Sequence, residues 1–237
     1  MMILIALVAA LLPAILLWLY IWKKDPQKEP ASPLVKAVLW GMAVVFLVSP
    51  IELGIQFLLF GDDGGPTNLV GTTFDAFFVA ALPEELFKLF ALWLVLRKNP
   101  FFDEHYDGIV YAVSVGLGFA ALENVFYVIG DEDWMVVAIS RALLAVPGHY
   151  AFAVLMGYYY SVYHFVDHSA KTGICVLLVP VLAHGIYDSI VMSFQVNTYI
   201  AVVSLPLLIW FCMKMQKLAK KRIVAMIEAD NDDVKVA

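Results

Sequence analysis

The sequence predicts an all-α integral membrane protein, a bundle of about seven transmembrane helices, and three observations support this fold class. Hydrophobic residues make up 62 % of the 237 positions and charged residues only 15 %, whereas a soluble domain has roughly a quarter of its residues charged. The apolar residues fall in long continuous runs, and a helix needs about 20 such residues to cross a bilayer. These runs do not alternate between apolar and polar positions, which argues against a transmembrane β-barrel.

Seven apolar stretches predict the individual spans. The first, 2–22, has no basic segment before it and no small-residue cleavage site after it, so we interpret it as a retained span and not as a signal peptide. The remaining stretches cover about 34–60, 69–96, 108–129, 134–161, 173–194 and 198–213.

The basic residues predict the orientation of these spans. All 15 Lys and Arg residues except Lys88 and Arg141 lie in or next to the segments that follow spans one, three, five and seven. By the positive-inside rule, the N-terminus is outside and the C-terminus is cytoplasmic. Residues 1–222 are predicted to form a single polytopic membrane domain. Residues 223–237 are expected to be an acidic cytoplasmic tail, disordered over 228–233.

Ionisable residues inside the spans predict a functional site. A charge near the centre of a bilayer costs several kcal/mol and usually faces a polar interior that has a function. At 1.5 Å per residue, the two adjacent glutamates and both histidines of this set lie near the midplane, and Glu123, Arg141 and Asp188 lie in the outer half. We therefore expect a site that spans three to six build together and that opens outward. Its members are Glu84, Glu85, Lys88, Glu123, Arg141, His149, His184 and Asp188.

Helical spacing indicates which of these side chains are neighbours. Lys88 lies one turn after Glu84 and Glu85, so it can pair with either carboxylate. His184 and Asp188 are four residues apart and share one face of span six.

Other polar residues and two prolines are interpreted as structural. Pro83 and Pro147 are expected to bend their helices just before the site residues. Glu52 is expected to cap a broken helix or to pair locally, and Asp75 to lie at the membrane interface. The histidines of the predicted cytoplasmic loops are expected to be solvated: His105, His164 and His168.

The residue types favour hydrolysis by an activated water molecule. Two adjacent carboxylates at low dielectric can supply a general base and a proton reservoir, and no serine has the context of a nucleophile motif. A carboxylate could activate water unaided while the histidines polarise the scissile carbonyl. Alternatively, His149, His184 and one of Asp188, Glu123 or Glu85 could bind zinc and leave one position for water. No His-Glu-x-x-His motif decides between the two routes.

Four motifs, in this order along the chain, carry a resemblance to a known family: Glu84-Glu85-x-x-Lys88, Glu123-Asn124-x-x-Tyr127, His149 and His184-x-x-x-Asp188. Together they resemble the PrsW family of intramembrane proteases. That family belongs with the type II CAAX prenyl endopeptidases and the scaffold subunit of γ-secretase. Lys88-Leu89 and Ala145 stand where the prenyl endopeptidases carry Arg and Phe, and these departures favour PrsW.

The resemblance implies site-1 cleavage of a membrane-anchored anti-sigma factor on its extracytoplasmic side, in the cell membrane of a bacterium. It implies that Glu84 is the water-activating base, that His149 assists it, and that His184 and Asp188 stabilise the oxyanion or bind a metal. The expected partners are this substrate and the lipid bilayer, with no nucleic acid. An ion- or proton-coupled transporter and a catalytically silent scaffold are the alternatives. The predicted catalytic set is completed by Glu85, Glu123 and Lys88, and the candidate zinc ligands are His149, His184, Asp188 and Glu85.

Overall fold

The computed structural model describes residues 2–61 and 65–236, with side chains for 3–61 and 65–232. In these residues the chain forms seven continuous helical segments and no strand, which confirms the predicted fold class. The α-helices are α1 Met2–Lys24, α2 Ala31–Phe60, α3 Leu69–Phe74, α4 Leu82–Leu96, α5 Asp107–Ile129, α6 Trp134–Ser140, α7 Val146–Ser161, α8 Ala170–Met192 and α9 Thr198–Val236. A π-helical turn, Asp75–Ala81, joins α3 to α4, and another, Arg141–Ala145, joins α6 to α7. The π turn Val162–Val166 extends α7, and a 3₁₀ turn, Ser193–Gln195, extends α8.

Six of the seven segments in the described residues are long and apolar enough to cross a membrane. The other segment, α3 through α4, is 28 residues long (69–96) and carries Asp75, Glu84, Glu85 and Lys88 along its length. Large apolar side chains of α1, α2 and α9 are exposed on the outside of the bundle, as expected for a surface in contact with lipid. The inside or outside placement of the termini stays a prediction.

Helix α5 lies at the centre of the bundle and packs chiefly against α2, α7 and α1. Its contact with α2 depends on two glycines. A Cβ atom at Gly118 would lie 2.3 Å from the carbonyl oxygen of Val38, and one at Gly41 would lie 2.0 Å from that of Val115. The two backbones thus approach more closely than any side chain would allow, as is common between membrane helices. This contact fixes α5, which carries Glu123 near its end.

Each of the two predicted proline bends coincides with a π turn. Pro83 and Pro147 both stand two residues after the end of such a turn; Pro83 directly precedes Glu84, and Pro147 stands two residues before His149. The N–H groups of Leu82 and Val146 bond to carbonyls five residues back, those of Phe77 and Arg141. Proline has no N–H with which to continue the helical ladder, so the backbone changes its hydrogen bonding at these points. Such π turns are frequent at functional sites.

The prediction of a short last span followed by a disordered tail is wrong. Helix α9 continues without a break to Val236, and Ala219, Ile223 and Met226 are buried against the bundle. These residues recur every three or four positions, which is the spacing of one helix face. Asp230 accepts hydrogen bonds from the backbone N–H groups of His105 and Tyr106 at 2.6 and 3.0 Å.

Candidate active site

The site begins on the first two turns of α4, where three ionisable side chains meet. Nζ of Lys88 lies 2.8 Å from Oε2 of Glu84 and 3.0 Å from Oε1 of Glu85. The Lys88 ammonium also lies 3.8 Å from the centre of the Phe119 ring. All three ionisable side chains are buried, so the lysine compensates one of two negative charges that would otherwise stand unpaired inside the bundle.

His184 of α8 connects this trio to Asp188. Its Nδ1 lies 2.9 Å from Oε1 of Glu85, and its Nε2 lies 3.0 Å from Oδ2 of Asp188. The ring stacks on Phe152 with a centroid separation of 4.9 Å. Both ring nitrogens therefore face a carboxylate, and the imidazole is held in one orientation.

His149 of α7 closes the network on the opposite side. Its Nδ1 lies 3.3 Å from Nζ of Lys88, and its Nε2 lies 3.1 Å from Oε2 of Glu123 on α5. Arg141 pairs with the same Glu123 carboxylate and donates a hydrogen bond from Nε to Oδ1 of Asn124 at 2.6 Å. The structure thus brings all seven predicted catalytic residues into one connected cluster.

A polar cavity of about 640 Å³ adjoins this cluster. Glu84, His149 and His184 are among its lining residues, whereas Glu85 and Lys88 are not. The lining extends to Gln56 at the end of α2 and to Gln195 after α8. Both lie next to the connections that contain no Lys or Arg, on the side of the bundle that we call the non-basic side.

Two cavity residues were not included in the predicted site. Glu52 and Asp75 both line the cavity, and in the described part of the chain Oε1 of Glu52 and Oδ1 of Asp75 are buried without a hydrogen-bond partner. The expected cap or local pair of Glu52 is therefore absent among these residues. Asp75 is buried, and its predicted depth at the membrane interface stays a prediction. The position of Glu52 in the outer half of span two, level with Glu123, was the signal that could have placed it here.

Four side chains offer a donor set for a metal ion. Glu84, Glu85, His149 and His184 each have a ligand atom within 4.8 Å of those of the other three, and all four are buried. Two carboxylates and two imidazoles suit zinc, so the residues fit the metal. Nζ of Lys88 lies within 3.3 Å of ligand atoms of three of the four residues: Glu84, Glu85 and His149. Asp188 is outside this group and contacts His184 instead.

Sequence comparisons identify the family. The sequence profile described as "PrsW family intramembrane metalloprotease" matches residues 29–212. The chain is 35 % identical over 223 residues to "Protease PrsW" of Bacillus subtilis, a match that covers 93 % of this chain and 97 % of the relative. The chain belongs to the PrsW family. "Protease PrsW" of Geobacillus kaustophilus is 34 % identical over 90 % of the chain and 91 % of its own length. The Oceanobacillus iheyensis protein of the same name is 35 % identical over 81 % and 85 %. No solved structure matches the chain significantly.

Membership of the PrsW family makes this chain a membrane-embedded peptidase, and it favours the enzyme over the transporter and the silent scaffold. The helices and the bacterial relatives place it in a bacterial membrane. The family is described as a metalloprotease, and the donor cluster of this chain is consistent with that description.

Proposed function

We propose that this chain hydrolyses a peptide bond in the extracytoplasmic segment of a membrane-anchored protein, next to the outer surface of the membrane. The position of the cavity carries this proposal. The cavity joins the buried carboxylates and histidines to the non-basic side of the bundle, and the positive-inside rule assigns that side to the exterior. The substrate class that we propose is an anti-sigma factor, in agreement with the resemblance of the four motifs to PrsW proteases.

We assign the role of general base to Glu84 and a supporting role to Glu85. Glu84 lines the cavity, whereas Glu85 is 1 % exposed and contacts Lys88 and His184 behind it. A base must reach the water from which it takes the proton, and in this arrangement only Glu84 of the two borders the space where water and substrate can enter.

In the proposed reaction, one proton moves from water to Glu84 and then from Glu84 to the leaving nitrogen. Glu84 takes a proton from water as the oxygen of that water attacks the scissile carbonyl carbon. The resulting oxyanion lies next to His149 and His184, whose rings are oriented by Glu123 and Asp188. Glu84 returns the proton to the leaving nitrogen, the C–N bond breaks, and the free carboxyl and amine products leave.

We propose zinc as the metal of this site, held by His149, His184 and Glu85, which leaves Glu84 free to act as the base. Bound zinc would polarise the carbonyl and lower the pKa of a bound water. Asp188 and Glu123 would then act through the histidines to which they hydrogen-bond, as carboxylates commonly do beside metal-binding imidazoles. The alternative, predicted from the sequence, is that Asp188 binds the metal directly. The zinc content of an Asp188→Ala variant distinguishes these two roles.

The activity is tested by co-expressing the chain with a tagged, single-pass anti-sigma factor and detecting its fragments by immunoblotting. We expect a fragment with the wild-type chain and none with Glu84→Gln or His184→Ala at equal expression. Glu132→Gln, in an exposed connection on the non-basic side, is the matched control and should retain cleavage. Cleavage at the wild-type rate by both site variants would show that the site is wrongly assigned.

The metal is tested by elemental analysis of the protein purified in detergent. We expect about one zinc per chain in the wild type, lost in His149→Ala and in His184→Ala. Retention of zinc in Asp188→Ala, with reduced affinity, would mark Asp188 as a positioning residue, and complete loss would mark it as a ligand. An active preparation without metal would leave Glu84 as an unaided base.

A further inference from the structure

A second cluster of carboxylates lies at the end of the bundle remote from the cavity, on the side of the basic connections. Asp25 follows α1, Glu104 lies in the connection between α4 and α5, and Asp107 begins α5. Each offers a carboxylate oxygen within 4.8 Å of those of the other two. Asp25 is 1 % exposed and Asp107 is 0 % exposed, so these charges are withdrawn from water in a way that surface acids are not.

In each of the three carboxylates, one oxygen accepts a hydrogen bond from the protein and the other has no hydrogen-bond partner among the described residues. Oδ2 of Asp107 accepts the N–H groups of Asp103 and Glu104 at 3.1 and 2.8 Å, and Oδ2 of Asp25 accepts that of Glu29 at 3.2 Å. Oε1 of Glu104 accepts from the amide of Gln27. In the part of the chain that the structure describes, the other oxygens are buried without a hydrogen-bond partner: Oδ1 of Asp25, Oε2 of Glu104 and Oδ1 of Asp107.

Two residues with basic side chains, Lys28 and His105, lie in the same connections as the cluster. Nζ of Lys28 donates to the backbone carbonyls of Lys23 and Asp25. The ring of His105 contacts the Asp230 carboxylate, with Nδ1 2.9 Å from Oδ1. The three carboxylate oxygens without a partner therefore accept no hydrogen bond within the described part of the chain, and a buried carboxylate is costly in this state unless a proton or a cation is bound to it.

Two further acidic residues lie next to the cluster of Asp25, Glu104 and Asp107. Glu29 and Asp103 form an overlapping group with Asp107, again with oxygens within 4.8 Å of one another. Burial raises the pKa of Glu104 to about 7, and repulsion from Asp230, Asp25 and Asp103 adds to the increase. Burial raises the pKa of Asp25 as well. Five acids, of which Asp25, Glu29 and Asp107 are buried, thus lie close together at this end of the bundle.

We propose that Asp25, Glu104 and Asp107 bind a hard divalent cation of the Mg²⁺ or Ca²⁺ class. The donor set contains oxygen only, which these cations prefer over zinc and copper. The backbone hydrogen bonds hold Asp25 and Asp107 in place before the cation arrives, so little order has to be gained on binding.

A cation at this position would connect the chain before α2 to the chain between α4 and α5. Helix α4 carries Glu84, Glu85 and Lys88 on its other end, so the cation would fix the helix on which half of the active site is built. It is separate from the catalytic metal, because it uses other residues at the opposite end of the bundle.

The test measures the Tm of the full-length chain in detergent after removal of metal with EDTA, in the presence of MgCl₂ or CaCl₂ alone. Binding only to the folded state raises Tm, and a ligand at about 100 times its Kd should shift it by about 5 °C or more in a chain of this size. Glu104→Gln and Asp25→Asn should lose this shift. Both should have a Tm in EDTA equal to or above that of the wild type, because each relieves repulsion.

Two controls separate this site from other sources of the shift. Glu132→Gln also removes one glutamate charge, from an exposed connection at the other end, and should keep the full shift. His184→Ala should keep it as well, because the active site is not involved. A wild-type Tm that responds to neither cation up to about 10 mM, roughly 100 times a weak Kd of 0.1 mM, overturns the proposal. A shift that persists in both Glu104→Gln and Asp25→Asn also overturns it.

Discussion

Substitution of Lys88 tests whether the charged trio on α4 stabilises the fold as well as the site. Lys88→Met keeps the length and apolar stem of the side chain and removes the ammonium that lies 2.8 Å from Glu84 and 3.0 Å from Glu85. Removing one partner from a buried ion pair costs about 3–5 kcal/mol, because a buried charge is left unpaired. Glu85 keeps His184 at 2.9 Å, so one of the two carboxylates stays compensated. We therefore expect the free energy of unfolding to fall by about 3 kcal/mol.

A double-mutant cycle shows whether that loss comes from the stranded carboxylate. Glu84→Gln in the Lys88→Met background removes the unpaired charge, so the double variant should be more stable than the sum of the single effects predicts, by about 1–3 kcal/mol. Unfolding is followed by tryptophan fluorescence as SDS is titrated into detergent micelles. Lys171→Met, which changes an exposed lysine at the start of α8, is the matched control and should change stability by less than about 0.5 kcal/mol. A Lys88→Met variant as stable as this control would refute the reasoning.

Four further outcomes follow from the structure. Gly118→Ala should lower the free energy of unfolding by about 1–3 kcal/mol because its Cβ would meet the carbonyl of Val38, whereas Gly54→Ala, with no atom within 4 Å of the added Cβ, should not. Arg141→Ala should lower the free energy of unfolding by about 1–3 kcal/mol, because it leaves Glu123 without this partner, and the variant that remains folded should still cleave substrate. Normal unfolding with no cleavage would instead assign Arg141 to catalysis. A strong zinc chelator should abolish cleavage, and added zinc should restore it. A fluorescent protein fused after the last residue should fluoresce if that terminus is cytoplasmic, and a dark, exported fusion would contradict the predicted orientation.

The membrane spans and the core of the site could be predicted because both follow from local physics. Seven apolar runs of sufficient length predict seven helices, and a charge inside such a run is costly unless other polar groups meet it. Residues at similar depth on different spans are therefore expected to converge, as Glu85, His149 and His184 do. Helical spacing alone predicted the contact of His184 with Asp188, which the structure has at 3.0 Å.

The features that were missed depend on contacts between distant segments. The helical extension of α9 is stabilised by burial against the bundle and by Asp230, whose partners lie 125 and 124 residues earlier in the chain. The charge of this segment suggested a solvated tail, although its apolar residues keep a helical spacing that indicated the opposite. The π turns before Pro83 and Pro147 were equally hidden, because a proline predicts an interruption of the helix but not the form that it takes.

The helix that carries the catalytic glutamates cannot be stable in a bilayer on the strength of its own composition. Charged residues at the centre of a span cost about 2.5–3.5 kcal/mol each on insertion scales, and α4 has three of them within its first seven residues. Lys88 pairs with the two glutamates on the same helix, but Glu85 also needs His184 from α8. The contacts that assemble the active site are therefore among those that hold this helix in the membrane. For that reason Glu84→Gln, which preserves shape and removes only the charge, separates catalysis from folding, whereas truncation to alanine would mix the two.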